Sequence, residues 1–277
     1  MAVKTSVYDI SGATEDCSDG DPGATTANVD IYNTVTNKFS NGAPIPNPRQ
    51  EVPSAVAVGS NIYVIGGATA CGGAPIAPMD KYSTKSNKWT TLPAVSDLPS
   101  QLQGAWACAA AIGKNIYYFL GGSVGVLDTA GSTPTWTVDS IPTLSPTDFC
   151  SAVTVGHEVY VVSPGDGSTD SFSQRVFAFN PKTATATEQS ETTVPFAEES
   201  VGVIHKRIVL AGGDFGGNTV VQIINPAQHN VVTATTSLPD YRDDADGGSV
   251  VKNVMYIVGG QSQSGGTSPR VMIGTPS

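Results

Sequence analysis

Eight residues before the first turn of a phrase that recurs through this 277-residue chain stand Glu51, Asp148 and Asp244, alternating with Ala105 and Ala197 at the same phase. Ten residues before that turn come Arg49 and Arg242, and seven before it come Trp106, Phe149 and Glu198. Asp243 adjoins the third carboxylate. Equal phase in a repeat brings such residues to one face, so this set reads as a ring of carboxylates with two arginines and two aromatics. Its chemistry suits a cationic peptide, a hydroxyl-rich ligand or a hard cation. Trp106 is not demanded by the repeat, and aromatic anchors dominate binding hot spots. Its truncation is expected to weaken binding while leaving stability within about 1 kcal/mol. The competing reading is a set of solvated connecting loops whose charges keep an apolar repeat soluble.

Other groups able to do chemistry are sparse. Glu15, Asp16, Asp19 and Asp21 crowd one loop and Asp240, Asp243, Asp244 and Asp246 another, but neither run has the 12-residue calcium-loop spacing or its terminal bidentate Glu. Solvated loops are the expectation at both, with no metal site assigned. His157 and His205 fall in first-to-second strand turns and His229 in a third-to-fourth turn, away from the carboxylates. The chain lacks His-Glu-x-x-His and Gly-x-x-x-x-Gly-Lys. No catalytic residue and no cofactor are expected.

The elements that position these residues are written in the phrase itself, small-Val-Gly-x-x-Ile-Tyr-Val-Ile-Gly-Gly. It has clear copies at 57–67, 111–122, 154–165, 203–213 and 250–260 and a partial one at 6–12. Phase-equivalent residues Tyr8, Tyr63, Tyr117, Tyr160, Val209 and Tyr256 are 55, 54, 43, 49 and 47 residues apart. An apolar run, a polar turn such as Gly59-Ser60-Asn61, and a second apolar run ending on glycines make two antiparallel strands. Val29–Tyr32 before Asn37-Lys38-Phe39, and Met79–Tyr82 before Asn87-Lys88-Trp89, supply a third and the start of a fourth. Four such strands make one propeller blade.

The Tyr-Val-Ile-Gly-Gly phrase, a Tyr six or seven residues before Trp or Phe, and a following Leu-Pro or Ile-Pro resemble kelch repeats, whose period lies near 50 residues. The resemblance covers nearly the whole chain and implies an all-β, six-bladed kelch-type β-propeller with four-stranded antiparallel blades. It also implies arginine at the phase of Arg49 and Arg242. The blades are expected at about 1–50, 51–102, 103–147, 148–196, 197–243 and 244–277 of one domain. Departures are Ser163-Pro164 in place of the double glycine, and Ala186 and Val231 in place of Trp or Phe. The chain reads as opening in the second strand of the first repeat and closing after the third strand of the sixth, so the ring is expected to be closed by the termini.

Composition limits the partners. With a net charge of −10 and only 14% charged residues, the chain has no basic face for nucleic acid, and no run approaches the ~20 apolar residues of a membrane span. Cys17 and Cys71 follow Gly12 and Gly67 by five and four residues on neighbouring repeats, which makes a disulfide between them conceivable. Cys108 and Cys150 lie in alanine-rich first-strand segments and are expected to be reduced, as small buried hydrophobes. Extracellular and cytoplasmic locations both stay open. The expected function is that of a non-enzymatic, monomeric binding module recognising a protein or peptide, of cationic character, at the loop-lined mouth. The alternative is a carbohydrate-binding lectin or a sugar epimerase- or mutarotase-like enzyme.

Overall fold

The computed structural model describes residues 1–14, 24–51, 54–104, 107–144, 150–164, 174–192, 199–213, 219–233, 237–242, 248–260 and 271–275. Among the described residues, 23 strands form six antiparallel sheets, each from one contiguous stretch of chain, and the fold is a six-bladed β-propeller. The first sheet is β1 (Ala2–Val3), β2 (Ser6–Ile10), β3 (Val29–Asn33) and β4 (Lys38–Asn41). The second is β5 (Ser54–Val58), β6 (Asn61–Ile65), β7 (Asp80–Ser83) and β8 (Lys88–Thr91), and the third β9 (Cys108–Ile112), β10 (Asn115–Leu120), β11 (Ser123–Asp128) and β12 (Thr135–Ser140). The fourth is β13 (Ser151–Val155), β14 (Glu158–Pro164), β15 (Gln174–Asn180) and β16 (Thr185–Glu191), and the fifth β17 (Ser200–Ile204), β18 (Arg207–Ala211), β19 (Val221–Asn225) and β20 (Asn230–Thr233). The sixth has three described strands, β21 (Ser249–Val251), β22 (Val254–Val258) and β23 (Val271–Gly274).

The opening differs from the sequence expectation. Lys4, at φ 57°, and Thr5 turn the chain so that Ala2 and Val3 pair with Val7 and Ser6. The chain therefore opens in a first strand, too short for any alternation to register in sequence. Among the described residues, the first sheet lies within 2–41 and the sixth within 249–274.

Each β-hairpin turn follows from local chemistry. Gly59, Gly113 and Gly156 take φ between 62° and 67° at the first turn position. The second turn residues there, Ser60, Lys114 and His157, are not at positive φ, whereas the fifth and sixth repeats turn on His205-Lys206 and Lys252-Asn253, all at positive φ, the type I′ pattern that matches strand twist. The second strands β6 and β18 are apolar on both faces because both faces are covered. In the compact unit Met1–Ser140, Ile62 and Val64 pack with Val29, Ile45 and Tyr82, while Tyr63 and Ile65 pack with Ile116, Tyr118 and Leu127. In the unit Ile141–Ser277, Ile208 and Leu210 pack with Tyr160, Val162 and Val176, while Val209 and Ala211 pack with Met255, Ile257 and Met272. Fourth-strand aromatics fasten the linkers: Trp89 lies 4.9 Å from Tyr82 by ring centroids and donates its indole N–H to the Ala43 carbonyl at 2.7 Å, and Trp136 donates to Ser96 at 3.1 Å.

Candidate functional site

Arg49 lies in the linker into the second sheet, and the structure takes it off the surface entirely. Its Nη2 meets Asp80 Oδ2 at 2.5 Å, with both side chains fully inaccessible. Nε donates to the Asn47 carbonyl at 3.0 Å, and Nη1 to the Gly66 and Pro78 carbonyls at 3.1 and 3.2 Å. Asp80, the first residue of β7, also accepts from Asn47 Nδ2 at 3.0 and 3.1 Å and from Thr91 Oγ1 at 2.7 Å. Burial lowers the guanidinium's pKa, and the Asp80 carboxylate acts against that shift. The pair is an internal clasp.

The double glycine is what lets the clasp close. Gly66 sits at φ 69°, and a Cβ there would collide with the Tyr118 hydroxyl. Burial raises the pKa of that tyrosine, and the nearby Arg49 charge draws it back down. One blade earlier the Gly12 amide donates to the Arg49 carbonyl at 3.0 Å, and Ser11 Oγ donates to the same oxygen at 2.8 Å.

Arg242 repeats the arrangement in the second unit. It is also fully buried, its carbonyl accepts from the Gly213 amide at 2.8 Å, and its Nη1 donates to the Tyr241 carbonyl at 2.9 Å and lies 3.9 Å from Asp240 Oδ2. A Cβ on Gly212 would come within 2.8 Å of the Arg242 carbonyl oxygen. Both arginines were grouped by sequence with the solvent-facing ligands. The structure places them inside, where they tie a blade's inlet segment to the double glycine.

Glu51, two residues on, remains half-exposed. It takes φ 59°, and its Oε1 accepts from the Gly72 amide at 2.5 Å, tethering the loop after β6. Trp106, Asp148, Phe149, Glu198, Asp243 and Asp244 lie outside the described residues, as does Cys17. Cys71 is disulfide-bonded, and so are Cys108 and Cys150, which corrects the expectation that the latter two are reduced. They stand five and six residues before Gly113 and Gly156, near-equal phase on consecutive repeats, the same argument that singled out Cys17 and Cys71. Burial at 4% and 5% accessibility fits either oxidation state and could not decide between them.

A second polar cluster escaped the sequence altogether. Glu199, immediately before β17, is fully buried, and its Oε2 accepts from Gln174 Nε2 at 3.1 Å, with the Ser151 side chain also bonded to it. Gln174 is itself held by Thr192, whose Oγ1 accepts from the Gln174 amide at 3.0 Å and whose own amide donates to the Gln174 carbonyl at 2.8 Å. Two acceptors, Glu199 Oε1 and Gln174 Oε1, have no hydrogen-bond partner among the described residues. Burial raises the Glu199 pKa, with the Gln174 and Ser151 bonds opposing, and no charged group among the described residues contributes. The only hint in sequence was a second glutamate beside Glu198, and carboxylates are rarely fully buried.

A test of this cluster follows from linkage. A carboxyl whose folded-state pKa is raised contributes its full stability below its unfolded value near 4.5, and that stability is lost as pH rises through the folded value. Glu199→Gln removes the titration and offers an N–H toward Gln174 Oε1. The variant should be more stable than the parent by roughly 1–3 kcal/mol at pH 8, with the difference vanishing near pH 4. Urea denaturation at the two pH values checks this; equal stability of the two chains at pH 8 would contradict it.

Among the described residues no group of three or more His, Cys, Asp or Glu side chains is placed to hold a metal ion, and no helix is long and apolar enough to cross a membrane. His157, His205 and His229 stand in separate hairpin turns.

No family model matches the chain, and no curated protein matches it in sequence. Among solved structures it is similar to that of YjhT, with a TM-score of 0.76 over 99% of this chain and 93% of that one at 15% identity. At that identity the likeness bears on architecture alone, and it agrees with the sheets described above: the chain has a six-bladed β-propeller fold.

Proposed function

We propose that the chain is a kelch-type propeller acting as a non-enzymatic binding module for a protein or peptide segment bearing positive charge, taken up on the loops that carry Glu51, Asp148 and Asp244. The observation that carries this reading is the withdrawal of Arg49 and Arg242 into internal clasps while Glu51, two positions from Arg49, stays at the surface. Removing the arginines from the set leaves the phase-matched residues as carboxylates and aromatics, on a chain of net charge −10. Loops on a rigid sheet scaffold are the usual carriers of binding residues. Oxidised Cys71, Cys108 and Cys150 support maturation in an oxidising compartment.

The test is a fluorescence titration of lysine-rich, glutamate-rich and neutral peptides beside a monosaccharide panel. Lysine-rich peptides should bind best and weaken when salt is raised from 0.1 to 1 M. Glu51→Gln, a change at the rim, should reduce their affinity about two- to fivefold. Equal affinity for acidic and basic peptides would remove the electrostatic argument. Saturable sugar binding without peptide binding would favour a lectin or sugar-isomerising protein instead.

A further inference from the structure

A net charge of −10 conceals a separation of charge along the strands. The first-to-second and third-to-fourth turns, which lie at one end of each sheet, are residues 4–5, 34–37, 59–60, 84–87, 113–114, 129–134, 156–157, 181–184, 205–206, 226–229 and 252–253. Every one of them is described, and none contains an aspartate or glutamate, although the chain has 24. Cations collect there instead. In the unit Met1–Ser140, Lys4, Lys85 and Lys114 stand in these turns and Lys38 and Lys88 open the strands that follow, which is five of the seven Lys and Arg residues of that unit. All five are exposed, and among the described residues none is ion-paired. One carboxylate lies within two residues of the turns in this unit, that of Asp128, whose Oδ1 accepts from the Ala130 amide at 2.8 Å.

Hydrogen bonds fix these turns to one another. In each of the three sheets of the unit the residue after the third strand is threonine, and its amide and Oγ1 both donate to the carbonyl of a first-turn residue. The bonds run from Thr34 to Thr5 at 2.9 and 2.9 Å, from Thr84 to Ser60 at 3.0 and 2.9 Å, and from Thr129 to Lys114 at 3.0 and 2.6 Å. The two turns of a blade therefore present one edge. Asn37 and Asn87, at φ 55° and 53°, set the backbone for Lys38 and Lys88, and the Tyr32 and Tyr82 hydroxyls donate to their Oδ1 atoms at 3.0 and 2.6 Å. Asn87 Oδ1 also accepts from the Ala43 amide at 2.7 Å, which joins the ends of the first two sheets. Lysines on a backbone held in this way bind without the cost of ordering a loop.

We infer that this turn end of Met1–Ser140 is a docking surface for an acidic polysaccharide, a polymer of sugar rings bearing carboxylate or sulfate groups. Charge complementarity selects an anion, because five unpaired ammonium groups share an end from which the turns exclude carboxylates. An ammonium is a point charge that meets carboxylate or sulfate from any direction. The one arginine of the unit, Arg49, whose planar fork would suit phosphate, is buried against Asp80. Exposed Thr36 and Ser86 in the same turns offer hydroxyls to the sugar. A membrane surface fits less well, since Val35 is the one large apolar side chain exposed in these turns. Oxidised cysteines fit a compartment where polysaccharide rather than nucleic acid is met. Glu51 lies before β5, at the opposite strand ends, so this surface is separate from the peptide-binding loops proposed above.

The test uses the intact chain and reads affinity by isothermal titration. Heparin and polygalacturonate are the sulfated and carboxylated probes, beside dextran, duplex DNA, and vesicles of phosphatidylserine and phosphatidylcholine in equal parts. Saturable binding of one or both acidic polysaccharides is expected, with none of dextran, and affinity should fall at least about tenfold as salt is raised from about 0.1 to about 1 M. Lys85→Gln should weaken binding about two- to fivefold, and the variant with all five lysines changed to Gln at least about thirtyfold. The melting temperature should stay unchanged in both, as expected of exposed side chains. Lys81→Gln, the same change of charge within β7, should alter affinity less than about twofold. Overturning results are no saturable binding of either acidic polysaccharide, equal binding of dextran, binding that survives the five-lysine change, or an equal loss in Lys81→Gln. Tighter binding of DNA or vesicles than of both polysaccharides would assign the surface to phosphate and would equally overturn the proposal. Peptide is absent from every arm, so this proposal and the peptide reading fail separately.

Discussion

Asp80→Ala should destabilise the chain by about 3–5 kcal/mol, because it strands the Arg49 guanidinium in a site with no access to water. The loss is large beside a typical folding stability of about 5–15 kcal/mol. The removed carboxylate is the common acceptor for Arg49, Asn47 and Thr91, so three donors lose a partner together. Arg49→Lys should also be costly, since an ammonium cannot reach Asp80 and the Asn47, Gly66 and Pro78 carbonyls with a planar fork. The double change Arg49→Met with Asp80→Leu should recover much of the loss, because an apolar pair of similar volume leaves no uncompensated charge. Urea unfolding of the three variants checks the claim. A loss under about 1 kcal/mol for Asp80→Ala would show that the clasp contributes little.

The second large effect concerns the cysteines. Thiol titration of the denatured, unreduced chain should find no free thiol among its four cysteines. Peptide mapping should join Cys17 to Cys71 and Cys108 to Cys150. Cys108→Ala should then cost about 2–5 kcal/mol, the usual effect of removing a native disulfide. Two free thiols, or an unchanged melting temperature in Cys108→Ala, would contradict the assignment.

Much of the scaffold could be read from the residues. The Tyr-Val-Ile-Gly-Gly phrase located five of the six second strands, because a strand covered on both faces is continuously apolar and ends where glycine is needed. The short opening strand Ala2–Val3 could not be read, since two residues carry no period. The site was harder. Arg49 reads as a surface charge until its partner is known, and Asp80 lies 31 residues away on another strand, a distance no local pattern encodes. Glu199 was hidden for a related reason. The Gln174 and Ser151 groups that hold it come from two other strands of the neighbouring blade.

The two arginines are internal and the Glu51 carboxylate beside Arg49 is at the surface, an arrangement that side-chain footprinting of the native protein checks. Brief treatment with a glyoxal reagent should modify exposed Arg207 and leave Arg49 and Arg242 intact, while carbodiimide-driven amidation should label Glu51 and spare Asp80 and Glu199. Modification of Arg49 or Arg242 at the rate of Arg207 in the folded chain would place the guanidinium groups back at the rim and contradict it.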